Sequence, residues 1–205
     1  AKKLIKLILQ ISLKITFLLI VNTEAKTEQI PEIYPITHSE FCLEKNLKNL
    51  NEINFFQYRR KNTEERIIKY DLSFLDKNLK VILNSHHRDL YHDDFIGMHL
   101  TSSDLMATSE NPISKNKILG ASCHNTDEIK KALILGVDYI FISPIKENLK
   151  ANKVLGWKGF QNICQQIDIP VFALGGVGPE DLEESKNNGG YGVSGIRKFW
   201  SISVL

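Results

Sequence analysis

The stretch ILGASCHNTDEIKKALILGVDYIFISPI, residues 118–145, holds two short apolar runs on either side of a segment with helical character. The runs have the length of buried strands, and the segment between them carries its own punctuation. Asn125 or Thr126 can cap the start of a helix, Glu128 sits in its first turn, and Gly136 ends it. Strands alternating with helices imply parallel pairing, because parallel neighbours need a crossover connection.

The same unit repeats outward in both directions. EIYPIT (32–37), INFFQY (53–58), KVILN (80–84) and FIGMHL (95–100) precede it, and PVFAL (170–174) and YGVSG (191–195) follow, making eight candidate strands with the KILGAS and DYIFIS runs. GPEDLEESKNNGG (178–190) reads as another helix, with Pro179 and acidic residues early and glycines at its exit. Eight such units in 205 residues fit a (β/α)8 TIM barrel better than an open doubly wound sheet. The barrel is expected over residues 31–205, with residues 1–30 as an N-terminal extension.

Composition narrows the functional classes. A net charge of +2 argues against bulk nucleic-acid binding, which needs a broad basic face. Cys42, Cys123 and Cys164 have neither CxxC spacing nor the density of a disulfide framework, so a reducing, cytoplasmic setting is expected. His86, His87 and His92 beside Asp93 and Asp94 match no metal-site spacing and read as a polar loop or short surface helix. The lysines and apolar run of residues 1–21 resemble a leader. Gln10 and Lys14 interrupt that run, so no membrane span is expected, and the segment reads as a packing element outside the catalytic fold.

In a barrel the strand ends converge on one face. The second strand delivers Gln57, Arg59 and Lys61, which leave the sheet on one side while Tyr58 and Arg60 leave on the other. Asn84 ends the third strand, His99 and then Asp104 follow from the fourth, and Ser122 ends the fifth with His124 beyond. Gly175 and Gly176 follow the seventh strand, and Gly192 to Gly195 form the eighth. Arginine and lysine together suit a diphosphate, and glutamine can read a heterocycle. Asp104 beside that anion calls for magnesium between them, unless it caps the helix SDLMATSE. A glycine pair after a strand lets backbone approach a phosphate.

Taken in order, IYPIT, QYRRK, VILN, GMHLTSSDL, the stretch 118–145 and IPVFALGGVGPEDL resemble the thiamine phosphate synthase and TenI family, from about residue 32 to residue 200. GMHLTSSDL with LGASCHN, LGW and GIRKFW looks most like the branch fused to Nudix hydrolases. The segment before residue 31 is far too short to be a Nudix domain, and a Nudix hydrolase is among the partners the resemblance suggests. The resemblance implies an enzyme of thiamine biosynthesis that joins a hydroxymethylpyrimidine diphosphate to a thiazole phosphate and releases pyrophosphate. It implies that Gln57, Arg59 and Lys61 receive the pyrimidine and its diphosphate, that Asn84 and Asp104 hold Mg2+, and that Ser122 lies near the pyrimidine. Arg59, Lys61 and Ser122 are then the catalytic candidates, and Gly175, Gly176 and Gly195 bind the thiazole phosphate. Self-assembly is left open.

Two departures from the family stand out. Ser85 replaces the aspartate expected after Asn84, and SPIKENLKANK (143–153) lacks the Thr-x-Thr-Lys pyrophosphate clamp, leaving Lys146, Lys150 or Lys153 to supply charge. A TenI-like thiazole tautomerase is the second enzymatic reading. Its usual histidine position after the sixth strand is Pro144 here, which leaves His99 and His124 as substitutes. A non-catalytic thiamine-precursor binding protein is the third reading.

Overall fold

The computed structural model describes residues 26–39, 42–49, 54–147 and 154–200. The strands are β1 (Ile33–Pro35), β2 (Phe55–Tyr58), β3 (Lys80–Asn84), β4 (Gly97–Leu100), β5 (Ile118–Cys123), β6 (Tyr139–Ile142), β7 (Val171–Leu174) and β8 (Gly192–Gly195). Between them lie α1 (Leu43–Asn49), α2 (Glu65–Ser73), α3 (Ser102–Ala107), α4 (Thr126–Leu135), α5 (Gly156–Cys164) and α6 (Leu182–Asn187), with 3-10 turns at Ser85–Leu90, Pro179–Asp181 and Arg197–Trp200. All eight expected strands are present.

The strands pair in parallel in the order β1-β8-β7-β6-β5-β4-β3-β2. A parallel bridge from Ile36 to Gln57 joins the two ends of that order, reinforced by the Thr37 N–H donating to the Gln57 carbonyl at 3.0 Å. The sheet therefore closes into the eight-stranded barrel expected from the spacing of apolar runs.

Alternation along each strand sorts side chains into two cores. Tyr34, Phe55, Ile82, Ile118, Tyr139, Phe141 and Phe172 pack within one buried cluster inside the barrel. Phe56, Tyr58, Leu83, Met98, Leu119, Ile140 and Ala173 turn outward against the helices. Inside, Tyr34 packs edge-on to Phe55, Phe141 and Phe172, with ring centroids 4.9, 5.0 and 5.6 Å away. Burial of each such ring contributes roughly 1.5–3 kcal/mol. Gly120 makes room for this packing, since a Cβ there would stand 2.1 Å from the Tyr139 ring.

The helix between β5 and β6 starts and stops where its residue types require. The Asn125 side chain accepts from the Asp127 and Glu128 N–H groups at 3.0 Å each, and Gly136 ends α4 at φ 73°. Residues 26–30, ahead of the expected start of the barrel, pack onto it. Ile30 is buried in the interior cluster, and Lys26 Nζ meets the Asp138 carboxylate at 3.1 and 3.2 Å. Residues 1–25 lie outside the described residues, and with them the leader-like run.

Candidate functional site

The C-terminal ends of the strands surround a pocket of about 260 Å³. Gln57, Arg59, Lys61, Asn84, Thr101, Ser122, His124, Phe141 and Ser143 are among its lining residues. Three strands thus bring Gln57, Arg59, Lys61, Asn84 and Ser122 together across 66 residues of sequence, as expected of groups at strand ends.

The alternation at residues 57–61 holds. Gln57, Arg59 and Lys61 face the pocket, whereas Tyr58 and Arg60 turn outward to Asp71 on α2. The Tyr58 hydroxyl donates to Asp71 Oδ2 at 2.9 Å and Arg60 Nε donates to the same oxygen at 2.7 Å. Arg60 is thus neutralised, but among the described residues no carboxylate pairs with Arg59. Partial burial lowers the pKa of Arg59, the signature of a charge placed against a low-dielectric wall without a counter-ion.

Gln57 is 1% exposed. Its Oε1 accepts from Asn84 Nδ2 at 2.8 Å, and its Nε2 lies buried without a hydrogen-bond partner among the described residues. Asn84, expected on the metal, uses its Oδ1 to accept the His86 N–H at 3.1 Å. Across the pocket, Ser122 Oγ meets His99 Nε2 at 2.8 Å. Complete burial, aided by the Arg59 charge, pushes the His99 pKa down to about 3, so the ring is neutral at physiological pH.

Asp104 sits in the first turn of α3, but Thr101 caps that helix by accepting the Asp104 N–H at 3.1 Å. The Asp104 carboxylate is held from three directions. Ser85 Oγ and Thr101 Oγ1 donate to Oδ2 at 2.6 and 2.7 Å, and Arg88 Nη2 donates to Oδ1 at 2.9 Å. These partners outweigh the burial cost and lower its pKa. Ser85, which stands where the resemblance led to the expectation of an aspartate, thus holds the Asp104 carboxylate. Sequence reading gave Arg88 no role, and its spacing from Asp104 offers no signal for this contact.

The histidine run forms no metal cluster, and among the described residues no group of three or more His, Cys, Asp or Glu side chains is placed to hold an ion. His87 Nε2 accepts the Arg60 N–H at 3.1 Å, and His92 faces Asp94 at 3.6 Å. Of the three lysines offered as clamp replacements, Lys146 turns away from the pocket to Asp181 at 2.6 Å. Lys150 and Lys153 lie outside the described residues. Gly175 and Gly176 adopt φ of 90° and 77°, and a Cβ on Gly176 would stand 2.7 Å from that of Lys146. The glycine pair lets the loops after β6 and β7 approach, with the Lys146 N–H donating to the Gly175 carbonyl at 2.9 Å. Gly195 pairs with β1 through its carbonyl and leaves room for Phe199.

Residues 33–199 match the TMP-TENI family, described as thiamine monophosphate synthase. Thiamine-phosphate synthase of Bacillus thuringiensis is 31% identical over 193 residues, covering 85% of this chain and 87% of that protein. Thiamine-phosphate synthase of Fusobacterium nucleatum is 30% identical over 172 residues, covering 76% and 78%. In fold the chain is similar to thiamine phosphate pyrophosphorylase from Pyrococcus furiosus, with TM-score 0.65 at 23% identity, covering 84% of this chain and 88% of that one. The chain belongs to the thiamine monophosphate synthase family.

Proposed function

We propose that this chain is a thiamine phosphate synthase, a transferase joining a hydroxymethylpyrimidine diphosphate to a thiazole phosphate. The observation that carries the reading is Arg59, a partly buried cation without a carboxylate partner among the described residues, beside Gln57 in the pocket. A planar guanidinium in this position favours a phosphate oxygen pair, and Lys61 adds a second, more exposed charge. Asn84 fixes the Gln57 amide by occupying its oxygen, and the Nε2 donor is left without a partner among the described residues in the wall of the pocket.

In the reaction the bond from the pyrimidine methylene carbon to the diphosphate oxygen breaks, and the electron pair leaves with pyrophosphate. The thiazole nitrogen lone pair then forms the new carbon–nitrogen bond. Negative charge grows on the departing oxygens, so Arg59 and Lys61 act by holding that charge in a partly dry pocket. Ser122 positions the pyrimidine from the opposite wall, and the backbone at Gly175, Gly176 and Gly195 is the place for the thiazole phosphate. One carboxylate with phosphate oxygens and water suits magnesium, and Asp104 would supply that carboxylate once the exposed Arg88 side chain swings aside. Magnesium bound there would neutralise the leaving pyrophosphate.

The motifs GMHLTSSDL and GIRKFW support placing the chain in the Nudix-fused branch, with a Nudix hydrolase as a partner. Three free cysteines fit a reducing cytoplasmic compartment, and no helix among the described residues is long and apolar enough to cross a membrane.

Purified protein incubated with both substrates and Mg2+ should yield thiamine phosphate and pyrophosphate by mass spectrometry. Arg59→Ala should weaken the pyrimidine diphosphate by about 10- to 100-fold while sparing the thiazole phosphate. Equal loss of both ligands would defeat the assignment of Arg59. One observation favours tautomerase chemistry as a second reading. His124 lines the pocket with Glu128 on its Nδ1 at 3.1 Å, a base and its orienting carboxylate. Deuterium exchange into a thiazole phosphate, lost in His124→Gln, with no synthase product, would select it.

A further inference from the structure

A line of buried polar groups crosses the barrel interior from one wall of the pocket to the other. It runs from the His86 N–H to Asn84 Oδ1 at 3.1 Å, and from Asn84 Nδ2 to Gln57 Oε1 at 2.8 Å. Gln57 Nε2 is buried without a hydrogen-bond partner among the described residues, and Gln57 stands close enough to the Tyr34 hydroxyl to act on its ionisation. Tyr34 and Tyr139 share a 2.8 Å hydroxyl contact, Tyr139 meets His99 Nδ1 at 3.0 Å, and His99 Nε2 meets Ser122 Oγ at 2.8 Å. Gln57, Tyr34, Tyr139 and His99 are each 1% exposed or less.

Only the first group in this line has a fixed sense, because a backbone N–H donates and cannot accept. It holds the Asn84 oxygen toward His86, so the Asn84 amino group must face Gln57. That in turn requires the Gln57 oxygen there, so Gln57 has only its amino group left to offer any other neighbour. An amino group does not accept, so the Tyr34 proton has Tyr139 as its acceptor. Tyr139, accepting from Tyr34, gives its own proton to His99 Nδ1. The neutral His99 ring then carries its proton on Nε2 and donates it to Ser122.

We propose that the His86 N–H sets the polarity of this whole line, which makes Ser122 a hydrogen-bond donor to the ligand and His99 the residue that positions it. Ser122 Oγ accepts from His99, so its own proton is directed to the pocket. The ligand atom that takes this proton must be an acceptor, a ring nitrogen or a phosphate oxygen. On the proposed function this identifies the atoms of the pyrimidine diphosphate that face Ser122, and that part of the inference rests on that reading.

The test is the tautomer of His99, read by nitrogen-15 NMR of the full chain without ligand, with the signal assigned through its loss in His99→Gln. The expected result is a neutral ring protonated on Nε2 throughout about pH 5 to 8. A ring protonated on Nδ1, a mixture of tautomers, or an imidazolium in that range would overturn the proposal. A second variant tests transmission. Asn84→Asp offers only acceptors, so Gln57 must turn its amino group toward it and its oxygen toward Tyr34. Every later bond then reverses, and His99 should become protonated on Nδ1 with Ser122 donating to it. An unchanged tautomer in this variant would show that polarity is not set from residue 84. With the ring locked in the reversed state, pyrimidine diphosphate binding should fall by about tenfold. Absence of pyrimidine diphosphate binding to a wild-type protein with the Nε2 tautomer would overturn the ligand assignment and leave the polarity standing.

Discussion

His99 is the residue whose burial is most visible in solution behaviour. Its pKa falls from 6.5 to about 3 through desolvation and the Arg59 charge, so between those values the unfolded chain binds the proton and the folded chain does not. Stability from this group is fully present above about pH 6.5 and is lost progressively as pH falls toward 3. The slope is up to about 1.4 kcal/mol per pH unit. Thermal unfolding followed across this window should show a flatter pH dependence in His99→Gln than in the parent, and parallel curves would contradict the assigned shift. Arg88 offers a second single-residue test. Its exposed pairing with Asp104 competes with a metal, so Arg88→Ala should raise Mg2+ affinity by roughly two- to fivefold, as isothermal titration would read it. Both effects arise from contacts between residues distant in sequence, which is why neither was legible in the sequence, whereas the row Gln57, Arg59 and Lys61 was.

At the scale of elements, β2 and α2 are joined by one buried cluster. Asp71 on α2 takes both the Tyr58 hydroxyl and the Arg60 guanidinium, with the two charged side chains 5% and 3% exposed. Removing one partner strands the other, so Asp71→Ala should cost about 3–5 kcal/mol in denaturant unfolding. A loss below about 1 kcal/mol would mean that water reaches Arg60. Local periodicity predicted β2, and alternation predicted that Arg60 would leave the sheet opposite Arg59. It could not name Asp71, because nothing in the α2 pattern marks which acidic residue turns inward. The GG segment shows a similar limit. Two glycines after β7 were read as a phosphate approach, and the structure adds that they accommodate the neighbouring loop backbone.

The whole molecule depends on closure between β1 and β2, where a single backbone bridge joins the ends of the sheet. Thr37 strengthens this seam by accepting the Arg59 N–H at 2.8 Å and donating to the Arg59 carbonyl at 3.1 Å. Thr37→Val keeps the shape and removes both bonds. It should lower stability by about 1–3 kcal/mol and weaken pyrimidine diphosphate binding with it, because the same seam holds Arg59 at the pocket. Calorimetric unfolding and ligand titration would read the two effects, and a change in stability alone would separate the seam from the site.

The order of apolar runs, the helix punctuation around residues 125–136 and the alternation at residues 57–61 determined the barrel and one wall of its pocket, because these are local regularities of backbone geometry and side-chain direction. Tertiary structure alone decided the remainder. It tied Asp104 to Ser85, Thr101 and Arg88, sent Lys146 to Asp181, and aligned Asn84, Gln57, Tyr34, Tyr139, His99 and Ser122 across the interior. Those pairings depend on register between strands and on which buried donor finds which acceptor, a constraint satisfied only when the ring of eight strands is closed.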